Sequence, residues 1–182
     1  MSSAASTADR AGLAAALYDV AHSTGEFVLR SGATATEYFD KYQFEADPAL
    51  LRRVASMLVP LLPTGTEVLA GLELGGVPIA TVLSMETGLP LAMVRKKAKT
   101  YGTLRIAEGA SVDGRVVTVI EDVVTSGGQV VLSTQDLRDA GALVENAVCV
   151  IDREAGGEQA LADAGVTLTA LFRADELRAT AG

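Results

Sequence analysis

An α/β fold, with a central parallel sheet flanked by helices, is what the sequence predicts, and three observations predict it. From about residue 48 onward, β-prone runs and helical patterns alternate, the pattern left by parallel strands joined through crossover helices. The run Val116, Val117, Thr118, Val119, Ile120 is apolar almost throughout, as a strand covered on both faces must be. Glycine pairs at Gly75-Gly76, Gly127-Gly128 and Gly156-Gly157 stand where a strand should turn into a helix.

Length and composition bound the rest. The 182 residues suit a single domain, 1–182, large enough to bury a core. Its 49% apolar and 21% charged residues fit a soluble globular protein, and the net charge of −8 argues against a nucleic-acid partner. No apolar run is long enough to span a bilayer. The opening MSSAASTADR lacks the basic and apolar regions of a signal peptide. A cytoplasmic protein without a membrane partner is expected. Cys149, the one cysteine, sits inside AVCVI and reads as an inert core thiol. His22 is the one histidine, so a multi-histidine metal site is excluded.

In chain order, Asp9 can cap a helix reaching about residue 24, which Gly25 ends. GEFVLRSGATATEYFDKYQF reads as short strands around a turn at Ser31-Gly32. It holds five of the eight aromatic residues, Phe27, Tyr38, Phe39, Tyr42 and Phe44. That clustering suggests a small lobe, or hood, mainly about residues 25–45, beside a core of about 48–178. Asp47-Pro48 is a helix start. EVLAGLELGGVPIATVLSMETG reads as strand, glycine turn and helix, and PLAMVR as the next strand. RKKAKTYGTLRIAEG shows poor periodicity and reads as a polar connection. ALVENAVCVIDRE is a further strand ending in Asp152-Arg153, Gly156-Gly157 opens a helix, VTLTALF is the last strand, and residues 174–178 form a final helix. In such a sheet, ligands bind beyond the carboxyl ends of the strands. The turns after Leu72, Val94, Ile120 and Ile151 should therefore gather at one edge.

The stretch VVTVIEDVVTSGGQ carries the chemistry. Behind the strand come Glu121 and Asp122, then Val123 and Val124, then Thr125, Ser126, Gly127, Gly128 and Gln129, and then a helical pattern. Glycines let backbone N–H groups turn inward, and a helix N-terminus adds about half a positive charge, so this order builds an anion cradle. The carboxylates beside it can accept hydrogen bonds from sugar hydroxyls or hold a divalent cation brought by a polyphosphate. An ordinary strand–turn–helix corner with a solvated acid pair would share the turn but would not need the hydroxyls and acids together. Phosphoribosyl pyrophosphate satisfies all of these groups. Arg95, Lys96, Lys97 and Lys99 place four cations within five residues, suited to a pyrophosphate, and Tyr101, Gly102 and Gly109 leave that loop free to close.

The motif resembles the signature of the type I phosphoribosyltransferases. MVRKKAKTYGT is similar to the mobile loop of the orotate phosphoribosyltransferases, VIEDVVTSGG to their substrate motif, VIDREAGG to their Asp-Arg segment, and GEFVLRSG with EYFDKY to their hood. The matches run in order from about residue 25 to 157. The resemblance implies the type I phosphoribosyltransferase fold with a small N-terminal hood. It also implies transfer of ribose 5-phosphate to orotate with Mg²⁺ held mainly through substrate, and a homodimer sharing loop residues across its interface. Carried over by position, Arg95, Lys96 and Lys99 would bind pyrophosphate. Glu121 and Asp122 would hold the ribose hydroxyls, within a donor site running through Val123 and Val124. Thr125, Ser126, Gly127, Gly128 and Gln129 would wrap the 5′-phosphate, while Thr125 and Arg153 would reach orotate. Lys99 and Asp122 are the expected catalytic pair. Three departures stand out. Tyr101 replaces a frequent histidine, Gly75 stands where some bacterial members carry lysine, and Arg30 takes a hood position often held by lysine. The competing readings are a type I enzyme acting on another base and a non-catalytic sensor of phosphoribosyl pyrophosphate.

Overall fold

Strand and helix alternate as the apolar runs require. The computed structural model describes residues 7–28, 32, 34–97 and 106–180. The elements are α1 (Thr7–Ala21), β1 (His22–Val28), β2 (Thr34–Phe39), α2 (Tyr42–Ala46), α3 (Pro48–Leu58), a 3-10 turn (Val59–Leu61), β3 (Val68–Leu72), α4 (Gly76–Thr87) and β4 (Leu91–Val94). They continue with β5 (Ala107–Gly109), β6 (Val116–Val124), α5 (Gly128–Asp139), β7 (Leu143–Asp152), α6 (Gly157–Asp163), β8 (Thr167–Arg173) and α7 (Ala174–Arg178). No described helix is long and apolar enough to cross a membrane.

Six strands form one sheet in the order β5-β4-β3-β6-β7-β8. β3, β4, β6, β7 and β8 are mutually parallel, and β5 runs antiparallel to β4 at the edge. The parallel sheet expected from the sequence thus carries one extra antiparallel strand. β5 lies inside the segment read as a polar connection, and three residues ending in glycine leave no period to read. From β3 the chain winds outward to β4, returns to β6 beside β3, and winds outward the other way. The β3/β6 boundary is therefore the topological switch point, and the crevice beyond its carboxyl ends is where this architecture binds ligands.

Successive residues of a strand face opposite sides. Val68, Ala70 and Leu72 of β3 accordingly enter one apolar layer with α5 and α6, while Leu69 enters the other with α1, α3 and α4. Asp47 caps α3 as expected, its carboxylate accepting from the Ala49 and Leu50 amides at 2.8 and 3.1 Å.

The N-terminal region differs from the sequence reading in three places. α1 begins at Thr7, so Asp9 lies within its first turn and does not cap it. α1 stops at Ala21, and His22 opens β1 instead of continuing the helix. His22, Ser23 and Thr24 pair with Phe39, Tyr38 and Glu37, an antiparallel ladder that outweighs three residues of modest helix preference. Gly25 falls where the register shifts between Thr24 and Phe27, inside the strand and not at a helix end. Tyr42, Gln43 and Phe44, read with the short strands, open helix α2 (Tyr42–Ala46). Asp40 starts it by accepting from the Tyr42 amide at 3.1 Å and the Gln43 side chain at 3.0 Å. The β1–β2 hairpin stands apart from the main sheet, with Phe27 and Tyr38 stacked 5.4 Å apart. Phe44 is instead fully buried in the main core.

Candidate active site

The acid pair is not in a loop after the strand. β6 runs on through Glu121, Asp122, Val123 and Val124, because β7 continues to pair with it: Glu121 with Cys149, Val123 with Ile151, Val124 with Asp152. The sequence reading ended the strand at Ile120, where the apolar run ends. Here sheet pairing overrides propensity. As a result Asp122 is 0% exposed and Glu121 8%.

A carboxylate buried among apolar strands must find partners. The Lys41 Nζ, just ahead of α2, stands 2.6 Å from Asp122 Oδ2. Asp122 Oδ1 accepts from the Val123 amide and Glu121 Oε1 from the Asp122 amide. Glu45, one helical turn after Lys41, is buried against the same carboxylate. Three acids thus surround one ammonium, and their proton affinities separate. Burial and the neighbouring Asp122 push Glu45 up to about 8. Burial and Asp122 also hold Glu121 well above the carboxylate range. Burial opposes ionisation of Asp122 too, but close contacts with Glu121, Lys41 and Glu45 outweigh it and lower its pKa. Burial alone would lower Lys41, yet Asp122 raises it. Lys41 and Asp122 are thus held as an ion pair, while burial and Asp122 bias Glu45 and Glu121 toward their protonated forms. Neither Lys41 nor Glu45 stood out in the sequence. Their spacing of four residues is a helix signal, hidden because the segment read as strand.

The turn after β3 lies directly on this group. A Cβ at Gly75 would fall 1.6 Å from Asp122 Oδ2 and 2.7 Å from Glu45 Oε1, and a Cβ at Gly76 would fall 2.2 Å from the Ile120 carbonyl oxygen. Only glycines permit the approach. Glu73 then ties the turn to β4, its amide donating to the Val94 carbonyl at 2.8 Å and its carboxylate accepting from the Lys96 amide at 3.0 Å. The Arg95 amide donates to the Ile106 carbonyl at 2.9 Å, and its guanidinium lies 3.6 Å from Glu108. Arg95 and Lys96 are thereby anchored beside the Gly75-Gly76 turn. Lys99 and Tyr101, and Arg30 of the hood, lie outside the described residues.

Beyond Val124 the chain turns through residues 125–127 into α5. Thr125 and Ser126 are exposed. Gly127 takes a left-handed φ of 75° and caps α5 without any side-chain hydrogen bond, which leaves the first amides of a 12-residue helix to a ligand. A Cβ at Gly127 would meet Leu161 Cδ1 at 2.6 Å, and one at Gly157 would meet the Thr125 carbonyl oxygen at 2.6 Å, so α6 braces the loop from behind. Gln129 bonds to Ser133 at 3.2 Å.

Arg153 follows β7, and its amide donates to the Val124 carbonyl at 2.8 Å. It lines a cavity of about 150 Å³ between the hairpin and α7, together with Tyr18, His22, Tyr38, Phe39 and Arg178. His22, stacked on Tyr18 at 4.5 Å, joins this wall through its strand position. Cys149 is fully buried and its thiol is pushed up by burial, which removes it as a nucleophile. Among the described residues no group of three or more His, Cys, Asp or Glu is arranged to hold a metal ion. With Asp122 already neutralised by Lys41, the donor set fits a divalent cation that arrives on a polyphosphate and is held mainly through it.

Residues 42–171 match the family described as phosphoribosyl transferase domain. The orotate phosphoribosyltransferase of a Nocardioides species is 58% identical over 167 residues, covering 92% of this chain and 93% of its own. That of Halobacterium salinarum is 45% identical over 153 residues, 84% of this chain and 87% of its own. Mycobacterium tuberculosis orotate phosphoribosyltransferase in complex with Fe(III) dicitrate matches with a TM-score of 0.85 at 28% identity, covering 93% of this chain and 98% of that one. The crystal structure of the same organism's enzyme in complex with 5-phospho-α-D-ribosyl 1-diphosphate matches at 0.81 and 25% identity, covering 93% and 99%. This chain belongs to the phosphoribosyltransferase family, among its orotate phosphoribosyltransferases.

Proposed function

We infer that this protein is a pentosyltransferase that moves ribose 5-phosphate from phosphoribosyl pyrophosphate to orotate, giving orotidine 5′-monophosphate and pyrophosphate in pyrimidine (UMP) biosynthesis. One observation supports the reading: beside the β3/β6 switch point, β6 carries two buried carboxylates and runs within a few residues into a helix whose N-cap makes no side-chain hydrogen bond. In this reading, Thr125, Ser126, Gly127, Gly128 and Gln129 receive the 5′-phosphate through amides and hydroxyls. Glu121 and Asp122 take the ribose hydroxyls, with Val123 and Val124 fixing the strand end beneath them. Arg95, Lys96 and Lys99 face the pyrophosphate, with loop cations shared across a homodimer interface. Thr125 and Arg153 reach the base, Arg153 meeting the orotate carboxylate at the mouth of its cavity.

No protein nucleophile is required. The C1–O bond to pyrophosphate breaks as the base nitrogen, giving up its proton to the departing pyrophosphate or to water, bonds to C1, and the ring carbon gains oxocarbenium character between the two. The chain positions donor and base and neutralises the leaving group. Mg²⁺, bound on the pyrophosphate, supplies further neutralisation of that charge.

The test offers the purified protein Mg²⁺ and phosphoribosyl pyrophosphate with orotate, uracil, hypoxanthine or adenine in turn, and follows loss of base. Consumption of orotate alone is expected. Consumption of another base in preference to orotate overturns the substrate. Donor binding without turnover of any base overturns the enzyme and leaves a sensor.

A further inference from the structure

Lys41 has no part in the roles assigned above, yet among the described residues it supplies the ammonium in contact with the buried acids. Its side chain is 33% exposed, while that of Asp122 is 0%. The ammonium therefore stands at the mouth of the acid group and the carboxylate at its floor. Asp122 Oδ2 meets the ammonium at 2.6 Å, with the Glu45 carboxyl beside the same carboxylate. The Gly75 backbone presses on the same oxygen, since a Cβ at 75 would lie 1.6 Å from it. The glycine turn, the carboxylate and the ammonium thus meet at one point, the crevice side of the switch point.

A ribose diol arriving at Asp122 must share Oδ2 with the ammonium or displace it. The two partners differ in freedom. Asp122 is fixed in a central strand, with its other oxygen accepting from the Val123 amide. Lys41 carries its charge on a flexible four-carbon stem in a part-exposed position. The lysine is the partner that moves. Once released, it finds a weaker partner in Glu45 or Glu121, because burial and the neighbouring Asp122 raise the proton affinity of both. In the proposed arrangement the nearest anion is the donor's diphosphate, facing Arg95 and Lys96, which are anchored beside the Gly75-Gly76 turn. That turn has no room for a cationic side chain of its own at position 75, so the charge must come from elsewhere, and α2 delivers it.

We propose that Lys41 is a donor-binding residue: it holds Asp122 in the free protein, yields that carboxylate to the ribose hydroxyls, and pairs its ammonium with the diphosphate of the incoming donor. This rests on reading Asp122 as the acceptor of the ribose hydroxyls. The discriminating pair of ligands is phosphoribosyl pyrophosphate, which carries the diphosphate, and orotidine 5′-monophosphate, which has the same ribose phosphate without it.

Calorimetry with Lys41→Met and Lys41→Arg, alongside steady-state kinetics, tests the proposal. Lys41→Met is expected to weaken binding of Mg²⁺-phosphoribosyl pyrophosphate about ten- to hundredfold, the range of a charged hydrogen bond. It should leave binding of orotidine 5′-monophosphate within about threefold, as a loss confined to one charged contact requires. Lys41→Arg should recover most of the donor affinity. Equal loss of both ligands would reduce Lys41 to a structural prop for Asp122 and overturn the proposal, as would loss of neither. If Lys41→Met fails to fold, Lys41→Gln, which keeps a donor for Asp122 without the charge, is read by the same criteria. A wild-type protein that binds the donor but consumes no orotate would defeat the proposed reaction while leaving the Lys41 comparison readable.

Discussion

Replacing Gly75 by alanine puts a single methyl where the structure has no space. The new carbon would lie 1.6 Å from Asp122 Oδ2 and 2.7 Å from Glu45 Oε1, closer than unbonded atoms tolerate. Asp122 cannot retreat: it is 0% exposed, bonded to the Val123 amide and faced by Lys41. Either the turn lifts off β6 or the carboxylate rotates away from its ammonium. Overpacking of this kind costs about 1–3 kcal/mol, and opening a buried ion pair raises the figure toward about 3–5 kcal/mol. In a chain of this size each kcal/mol moves Tm by roughly 2–4 °C. The catalytic effect should exceed the stability effect, because a shift of about 1 Å at a reacting centre costs on the order of a hundredfold in rate. The assay is kcat/KM for phosphoribosyl pyrophosphate at saturating orotate, with Tm measured on the same preparation. Gly12→Ala in α1 is the control, since its Cβ would meet nothing nearer than Arg53 at 3.8 Å. It should be neutral or slightly stabilising, as alanine suits a helix better than glycine. If Gly75→Ala kept kcat/KM within threefold and left Tm unmoved, the packing of the turn on Asp122 would not be what the site depends on.

Three further outcomes are expected. Lys99→Ala should lower kcat about a hundredfold through loss of one leaving-group contact, about 3 kcal/mol of barrier; an unchanged kcat defeats that role. Arg153→Ala should raise the orotate KM while donor affinity by calorimetry stays nearly constant, and equal weakening of both contradicts its place at the base. Glu45 holds its proton more tightly folded, at about 8, than at its ordinary 4.5. Its protonation therefore favours the folded state most below pH about 4.5, and that contribution drains away as pH rises through about 8. Glu45→Gln, which mimics the protonated acid, should match the wild-type Tm near pH 4 and exceed it increasingly up to about pH 8. Parallel Tm–pH curves would show that Glu45 is not held protonated.

The core of the fold was legible because buried parallel strands must be apolar and must be joined by helices. The five parallel strands and the helices between them stand where their runs of residues place them. The turn into α5 was legible for a similar reason, since glycine at 127 answers a left-handed backbone and a close neighbour at once. What could not be read depends on partners far away in sequence. β5 exists only because β4 offers an edge, and β6 absorbs Glu121 and Asp122 only because β7 keeps pairing with it. α2 was mistaken for strand because aromatic residues favour both a hood strand and a buried helix face, and Asp40's hydrogen bond to the Tyr42 amide decides between them. Lys41 and Glu45 were lost with that helix. The ion pair that organises the acids is a tertiary contact spanning some eighty residues, and no local pattern announces it.

The central claim is that the strand-to-helix corner at residues 121–129 grips the ribose 5-phosphate. The most direct measurement is a crystal structure of the protein with Mg²⁺ and phosphoribosyl pyrophosphate. The expected result places the 5′-phosphate on the first amides of α5, with a ribose hydroxyl within hydrogen-bonding distance of Asp122. Phosphate density at any other part of the molecule, with the α5 N-terminus open to solvent, would contradict the claim.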